Sequence, residues 1–128
     1  MTQEEKELVL KDICTRLPYG VYVEISWEYS KTDVYTSLEY YEFPNIDSLL
    51  NIFWDEKCIS IKPYIRPMSS MTEEEKKIYT SKQSVIFDFK GDKLDNYHSL
   101  DYLNSIHVDY RGLIEKELAV KASEEMYK

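Results

Sequence analysis

The sequence predicts an α+β fold in which a small, mostly antiparallel sheet or a partial barrel is covered by N-terminal and C-terminal helices. Three segments with helical periodicity are interleaved with four or five short alternating segments, and their order shows no strict β-α-β repeat. Of the 128 residues, 43% are hydrophobic, which is enough to build a core. The length fits a single domain spanning residues 1–128.

The first element is a helix predicted over residues 3–16. Thr2 and Glu5 have the spacing of a capping box, in which each side chain accepts a hydrogen bond from the other residue's backbone N–H. Pro18 and Gly20 are expected to end the helix. Its predicted apolar face holds four residues at helical spacing: Leu10, Ile13, Cys14 and Leu17.

Two strands are predicted to follow as a hairpin. Hydrophobic and polar residues alternate over residues 21–29, and residues 34–43 are rich in Tyr and Thr, with a polar turn at 30–33 between them. The whole chain holds 12 tyrosines. That excess indicates either a binding surface or the preference of tyrosine for strands.

Residues 44–61 admit two interpretations. In the first, Asn45 or Asp47 caps a short helix, and a strand containing Ile59 and Ile61 follows. In the second, residues 49–54 and 57–61 form two short strands joined at residues 55–56. We favour the helix followed by the strand, because the apolar residues of the first half fit one helical face: Leu49, Leu50, Phe53 and Trp54.

Residues 62–71 are interpreted as a hinge. It would join a β-rich half, which ends near residue 61, to a helix-containing half over 72–128. Pro63 and Pro67 disfavour a helix interior or a central strand, and they favour an extended backbone.

The same hinge contains the first candidate binding site. In an extended backbone neighbouring side chains face opposite ways, so Tyr64 and Arg66 share one side and Ile65 takes the other. If Ile65 enters the core, Tyr64 and Arg66 are presented together, and this pair of residue types is enriched at interface hot spots. The alternative is structural, with Arg66 binding carbonyl groups or an acidic residue such as Glu73.

The helix-containing half begins with a second capping box. Thr72 and Glu75 predict a helix from Glu73 to about Tyr79. A strand is predicted over 84–90, followed by a turn at residues 91–92.

A last helix is predicted to begin at Ser99 as the N-cap, with Leu100, Leu103 and His107 on its apolar face. Residues 113–122 mix helical and strand patterns and receive no assignment.

Tyr110 and Arg111 form the second candidate binding site. They lie between Asp109 and Gly112, so an acid, an aromatic ring, a base and a flexible residue are adjacent. The alternative is a helix end, at which Arg111 binds the last carbonyl groups and Gly112 takes a left-handed conformation.

No catalytic motif is present, and no metal or other cofactor is predicted. His98, Asp101 and His107 are the candidate metal ligands, but a metal site needs at least three ligands in a workable geometry, and the spacing does not supply it. Cys14 and Cys58 lie outside any CxxC pattern and are predicted to be buried, reduced and inert.

The net charge of −8 argues against direct binding to nucleic acid or to an anionic membrane surface. No apolar run approaches the ~18 residues that a membrane span needs, and the N-terminal residues are acidic rather than signal-like. The expected location is therefore cytoplasmic.

Three sequence blocks resemble a family of small uncharacterised proteins from gut anaerobes, their phages and other mobile elements. The blocks are LPYGV at 17–21, KPYIRPMSSMTEEEK at 62–76 and DYRGLI at 109–114, and the resemblance does not extend to residues 22–60. It implies that the three blocks belong to one compact domain, and it implies no activity.

We therefore expect a non-enzymatic interaction protein, an accessory factor of phage or mobile-element origin that binds a protein partner or a second copy of itself. Two alternatives stay open. One is an acidic protein that mimics nucleic acid and occupies the basic groove of a host enzyme. The other is a small metal-dependent enzyme built around His98, Asp101 and His107.

Overall fold

The computed structural model describes residues 1–43, 45–82 and 97–127, apart from the side chains of Tyr97 and His98. It confirms the α+β class. The helices and strands, in chain order, are α1 (Gln3–Arg16), β1 (Val21–Glu28), β2 (Val34–Tyr41), α2 (Ile46–Phe53), β3 (Cys58–Ile65), α3 (Glu73–Lys82), α4 (Tyr97–Ser105) and β4 (Val120–Lys121). Short 3-10 turns lie at Leu17–Tyr19 and Met68–Ser70.

The described strands form an open, mixed sheet in the order β2-β1-β3-β4. β1 pairs antiparallel with β2 on one side and with β3 on the other, and β4 adds a short parallel pair to β3. The sheet is thus mostly antiparallel, as predicted, and it is open rather than a partial barrel. β2 occupies one edge.

The main core lies on one face of this sheet. Alternate residues of β1 and β3 are fully buried there, among them Val23, Ile25 and Ile61. α1 and α2 contribute Ile13 and Leu49 to the same cluster. Burying an aliphatic side chain of this kind contributes about 1.5–3 kcal/mol, so this face holds the sheet and the two helices together.

A second, smaller cluster lies where α4 packs against α1 and α3. It contains Met71, Leu103 and Val108. No described helix is both long and apolar enough to cross a membrane.

The bounds predicted for the first helix are confirmed, and so is its capping box between Thr2 and Glu5. The buried face, however, is turned relative to the prediction: Leu10 and Cys14 are only half-buried. The fully buried positions along α1 are Val9, Asp12, Ile13 and Arg16. The cause is an ion pair, because the carboxylate of Asp12 and the guanidinium of Arg16 neutralise each other inside the core.

The predicted exclusion of Pro63 from a central strand is wrong, because residues 62–65 are the end of β3. Tyr29 N–H donates to Asp33 O, so the backbone groups of Tyr29 point toward the β2 side. In an antiparallel pair every second residue points the same way, so Val23 N–H also points toward β2. Val23 faces Pro63, so the proline nitrogen points away from β1. β4 begins to pair only at Tyr64, so the missing N–H of Pro63 interrupts no ladder.

Two further predictions are corrected at α4. Ser99 lies inside the helix rather than at its N-cap, and the helix ends at Ser105, two residues before His107. Leu100 is largely exposed, whereas Leu103 is buried as expected. The strand predicted over 84–90 lies outside the described residues.

The interpretation of residues 44–61 as a helix followed by a strand is confirmed by α2 and β3. The helix predicted from Glu73 is also confirmed, and it continues to Lys82. The part left unassigned, 113–122, forms turns that end in β4.

Candidate functional site

Arg66 lies just after β3 and binds several groups at once. Its two terminal nitrogens donate to the two carboxylate oxygens of Glu75, at 2.9 and 2.8 Å. It also donates to the carbonyl oxygens of Ser70 at 3.0 Å and of Ile106 at 3.3 Å. This matches the structural alternative, with Glu75 in place of the expected Glu73. Arg66 therefore connects three segments by hydrogen bonds: the turn before α3, the first turn of α3 and the loop after α4.

The electrostatics of Glu75 follow from this arrangement. The hydrogen bonds from Arg66 lower the pKa of the Glu75 carboxyl from 4.5 to about 2, with help from the backbone N–H and hydroxyl of Thr72. The Thr72–Glu75 capping box is present as predicted. One carboxylate thus caps α3 and binds Arg66.

Tyr64 and Ile65 face opposite ways, as the extended backbone predicts. Ile65 is fully buried in the main core, and Tyr64 is half-buried on the other face. The Tyr64 hydroxyl donates to the Glu24 carboxylate at 3.3 Å. Tyr64 and Arg66 are both present at the end of β3, and each already has a hydrogen-bond partner within the chain.

The Tyr127 hydroxyl bridges the backbones of β1 and β3 at the end of their ladder. It accepts a hydrogen bond from Tyr22 N–H at 2.9 Å and donates one to Tyr64 O at 2.6 Å. Register pairs between these strands stop at Val23 and Pro63, so the hydroxyl stands where the next pair would be. Burial raises the pKa of this phenol. Nothing in the sequence pattern predicted this role.

His107 lies beside Tyr127, and the two rings stack with centroids 3.5 Å apart. Its backbone has a φ of 61°, in the left-handed region that non-glycine residues rarely adopt. Burial, together with the charges of Arg16 and Arg66, lowers the pKa of the imidazole from 6.5 to about 4. The ring is therefore neutral near pH 7. Within the described part of the chain its Nδ1 atom is buried and has no hydrogen-bond partner.

A cavity of about 790 Å³ opens next to this cluster. Polar side chains line much of it, including Arg66, Ser70, Glu75, Ser105 and Lys121. Arg66 and Glu75 are bound to each other, and the lining holds no nucleophile with a base bonded to it among the contacts described. Arg66 and Glu75 thus form a structural ion pair at the edge of this cavity.

Tyr110 and Arg111 lie in the loop after α4, and Arg111 donates to the Asp12 carboxylate at 2.7 Å rather than to helix carbonyls. Asp12 thereby serves two guanidinium groups, since Arg16 also binds it at 2.9 Å. The Tyr110 ring lies 4.7 Å from the guanidinium of Arg111 and 5.6 Å from that of Arg16. Gly112 has a φ of 71°, which confirms the left-handed conformation.

The buried ion cluster was missed, although a signal for it was present. Asp12 and Arg16 follow Val9 at positions i+3 and i+7, on the same helical face. The prediction placed the buried face on the neighbouring apolar stripe instead, which runs through Leu10, Cys14 and Leu17. The partner Arg111 lies 99 residues from Asp12, and no local pattern could have identified it.

Among the described strands, β2 lies at one edge of the sheet and pairs on one side only. The register with β1 runs without a break from Val34 to Tyr41. Asp33 O accepts from Tyr29 N–H, so the backbone groups of Asp33 point toward β1. Orientation alternates along the strand, so the backbone groups of the next residue, and of every second residue after it, point away from β1. These residues are Val34, Thr36, Leu38 and Tyr40.

The side chains of the same four residues lie on the sheet face opposite α1 and α2, which we call the outer face. Register places Tyr40 beside Tyr22 and Leu38 beside Glu24. The rings of Tyr22 and Tyr40 are 4.8 Å apart. Val34, Leu38 and Tyr40 expose 62%, 54% and 45% of their surfaces. An apolar and aromatic strip therefore runs along the unpaired edge.

The remaining candidate metal ligands are described only in part. Asp101 accepts a hydrogen bond from the Tyr19 hydroxyl at 2.6 Å, and the side chain of His98 lies outside the described residues. Over the described ranges no three side chains of metal-binding type gather. Cys58 is buried, Cys14 is half-buried, and burial raises the pKa of both thiols.

Comparison with family models, with curated proteins and with solved structures finds no match to this chain.

Proposed function

We propose that this chain is a non-enzymatic protein-binding module that takes up an extended segment of a protein partner along the free edge of β2. The observation that supports this most is the edge itself. It presents the backbone groups of Val34, Thr36, Leu38 and Tyr40 outward, next to their exposed side chains. In strand addition the main-chain hydrogen bonds supply affinity, and the alternate side chains supply specificity.

The composition of β2 favours this role. Natural sheets protect their edges with lysine, proline, bulges or very short strands. β2 is eight residues long, contains no Lys, Arg or Pro, and carries a single charge, at Glu39. Its register with β1 has no bulge, whereas the β1–β3 register shifts near Trp27. Within the part of the chain that the structure describes, this edge is regular and unprotected, which suits it to pairing with another strand.

The chemistry of the partner follows from the side chains beside the edge. Alternate apolar residues would pack on Val34, Leu38 and Tyr40. Glu24 and Glu28 lie on the neighbouring strand, and the whole chain carries a charge of −8, so a segment with little or no negative charge is favoured over a strongly acidic one. The resemblance to proteins of phages and mobile elements adds the proposal that the chain is an accessory factor acting in the cytoplasm.

In this proposal the four residues predicted as binding residues have other roles. Arg66 and Arg111 are held in ion pairs, Tyr110 packs against guanidinium groups, and Tyr64 binds Glu24. They stabilise the domain that carries the β2 edge.

Selection from a library of random peptides tests the proposal. Peptides are selected on the wild-type protein and then titrated against two variants, Leu38→Lys and Trp54→Lys. Both variants replace an exposed apolar residue with lysine and change the net charge equally, but Trp54 is the C-cap of α2 and is not part of β2. We expect Leu38→Lys to weaken binding by at least about tenfold and Trp54→Lys to leave it unchanged.

Backbone amide shifts of Val34, Thr36, Leu38 and Tyr40 in NMR spectra should follow the titration. Peptides that bind equally well to both variants, or that shift only amides around the Arg66 cavity, would contradict the proposal. Salt-sensitive capture of a nucleic-acid enzyme, unaffected by Leu38→Lys, would favour the acidic mimic instead.

A further inference from the structure

We infer that the segment taken up by β2 is β2 of a second copy of this chain, so that two copies share one continuous sheet. The inference rests on the proposed function, because both use the same strand edge. It goes further by naming the partner and the register. Two identical strands paired antiparallel are related by a two-fold axis, the commonest symmetry of protein dimers.

The positions of the outward-facing backbone groups select one register. These groups belong to Val34, Thr36, Leu38 and Tyr40. An antiparallel pair centred on Ser37 places Val34 opposite the partner's Tyr40 and Thr36 opposite the partner's Leu38. In that register every outward N–H and C=O group on both strands has a hydrogen-bond partner. Shifting the centre by one residue leaves the outward groups at one or both ends unpaired.

The side chains suit the same register. A β-branched residue opposite an aromatic one is a favourable cross-strand pair, and Val34 meets Tyr40 at both ends of the shared strand pair. The outer faces of the two copies lie on the same side, because residues directly opposite each other share a face. The exposed strips of the two copies would thus join into one apolar surface across the dimer axis.

Charge does not oppose the pairing locally. Glu39 is the only charged residue in β2, and this register places it opposite Tyr35. The two Glu39 side chains are then four residues apart along the strands, or about 14 Å at a rise of ~3.4 Å per residue. That separation exceeds the Debye length of about 8 Å at physiological ionic strength, so their repulsion is largely screened.

Net charge supplies a signature that separates this dimer from binding to a basic partner. Each copy carries a charge of −8, so the two copies repel each other at long range. Added salt screens that repulsion and should strengthen the dimer. Binding of a basic segment should weaken under the same change.

Sedimentation velocity over a range of protein concentrations and at two salt concentrations tests the inference. We expect wild-type protein to form a dimer that is tighter at the higher salt, and Trp54→Lys to behave like the wild type. Leu38→Lys places a lysine beside the shared strands, and Thr36→Pro removes an outward N–H that the monomer does not use. Each should weaken the dimer by at least about tenfold.

Hydrogen exchange provides a second readout that does not depend on substitution. The amides of Thr36, Leu38 and Tyr40 should exchange more slowly as the dimer forms, while those of α3 should not change. Circular dichroism spectra like that of the wild type would show that the variants are folded.

Wild-type protein that stays monomeric at every concentration would overturn the inference. So would a dimer that Leu38→Lys and Thr36→Pro leave intact, or a dimer without protection of the β2 amides. If the protein is monomeric but binds selected peptides along β2, the inference fails and the proposed function stands. If neither self-association nor peptide binding involves β2, both fail.

Discussion

Replacing Arg66 with alanine removes the bidentate ion pair with Glu75 and the bonds to two carbonyl groups. The fall in the Glu75 pKa from 4.5 to about 2 corresponds to about 3 kcal/mol of favourable interaction in the folded state. Thr72 supplies part of it, and solvent reaches both side chains, which leaves about 2 kcal/mol for Arg66. Loss of the carbonyl bonds adds about 0.5–1 kcal/mol. We therefore expect Arg66→Ala to lower the free energy of unfolding by about 2–3 kcal/mol.

Urea unfolding at pH 7 measures this change, and Lys76→Ala is the matched control. Lys76 also pairs with a glutamate of α3, Glu73, at 3.2 Å, but the side chains of both residues are largely exposed. Such pairs contribute about 0–1 kcal/mol. A loss below about 1 kcal/mol for Arg66→Ala, or one no larger than that of the control, would refute the structural role assigned to Arg66.

The pH dependence provides a second check. The folded-state pKa of Glu75 is lower than its unfolded value, so the unfolded chain binds the proton more readily. The stability from this carboxylate is therefore fully present above about pH 4.5 and is lost as the pH falls toward about 2. The difference between wild type and Arg66→Ala should shrink over the same range. A difference that stays constant from pH 7 to pH 3 would contradict this explanation.

Three other predictions follow from the same structure. Tyr127→Phe should cost about 1–2 kcal/mol in urea unfolding, because two partly buried backbone groups lose their shared hydroxyl partner. The folded-state pKa of His107 is about 4 against an ordinary 6.5, so its contribution should be present above pH 6.5 and lost as the pH falls toward 4. Replacing His107 with glutamine should flatten the stability profile in that window. Cys58 should resist thiol reagents until the protein is unfolded, and Cys14 should react slowly.

The parts of the fold that depend on local patterns were predictable from the sequence. α1 begins and ends where its capping box and Pro18 place it, since these signals act within a few residues. β1 alternates as predicted because one of its faces meets the core. Pro63 misled the prediction, because a strand tolerates proline wherever its nitrogen faces no partner.

The parts that depend on distant partners were not predictable. The alternative in which Arg66 binds an acidic residue was correct, but the partner is Glu75 rather than Glu73. The two glutamates lie only two residues apart, so the sequence could not show which of them Arg66 reaches. Arg111 pairs with Asp12 in the first helix. The openness of the β2 edge depends on strand order, and sequence patterns alone do not determine that order.

The contacts between the two ends of the chain affect how fast it can fold. Arg16 bonds to the carbonyl of Val108, 92 residues away, and Tyr22 bonds to Tyr127, 105 residues away. α1 can form early from its own capping box, but burying Arg16 beforehand would leave its guanidinium without that carbonyl. Loop-closure entropy must be overcome before these contacts contribute, so the last segment to dock sets the folding rate. Folding should take milliseconds to seconds rather than microseconds, and Val108→Ala should speed unfolding more than it slows folding.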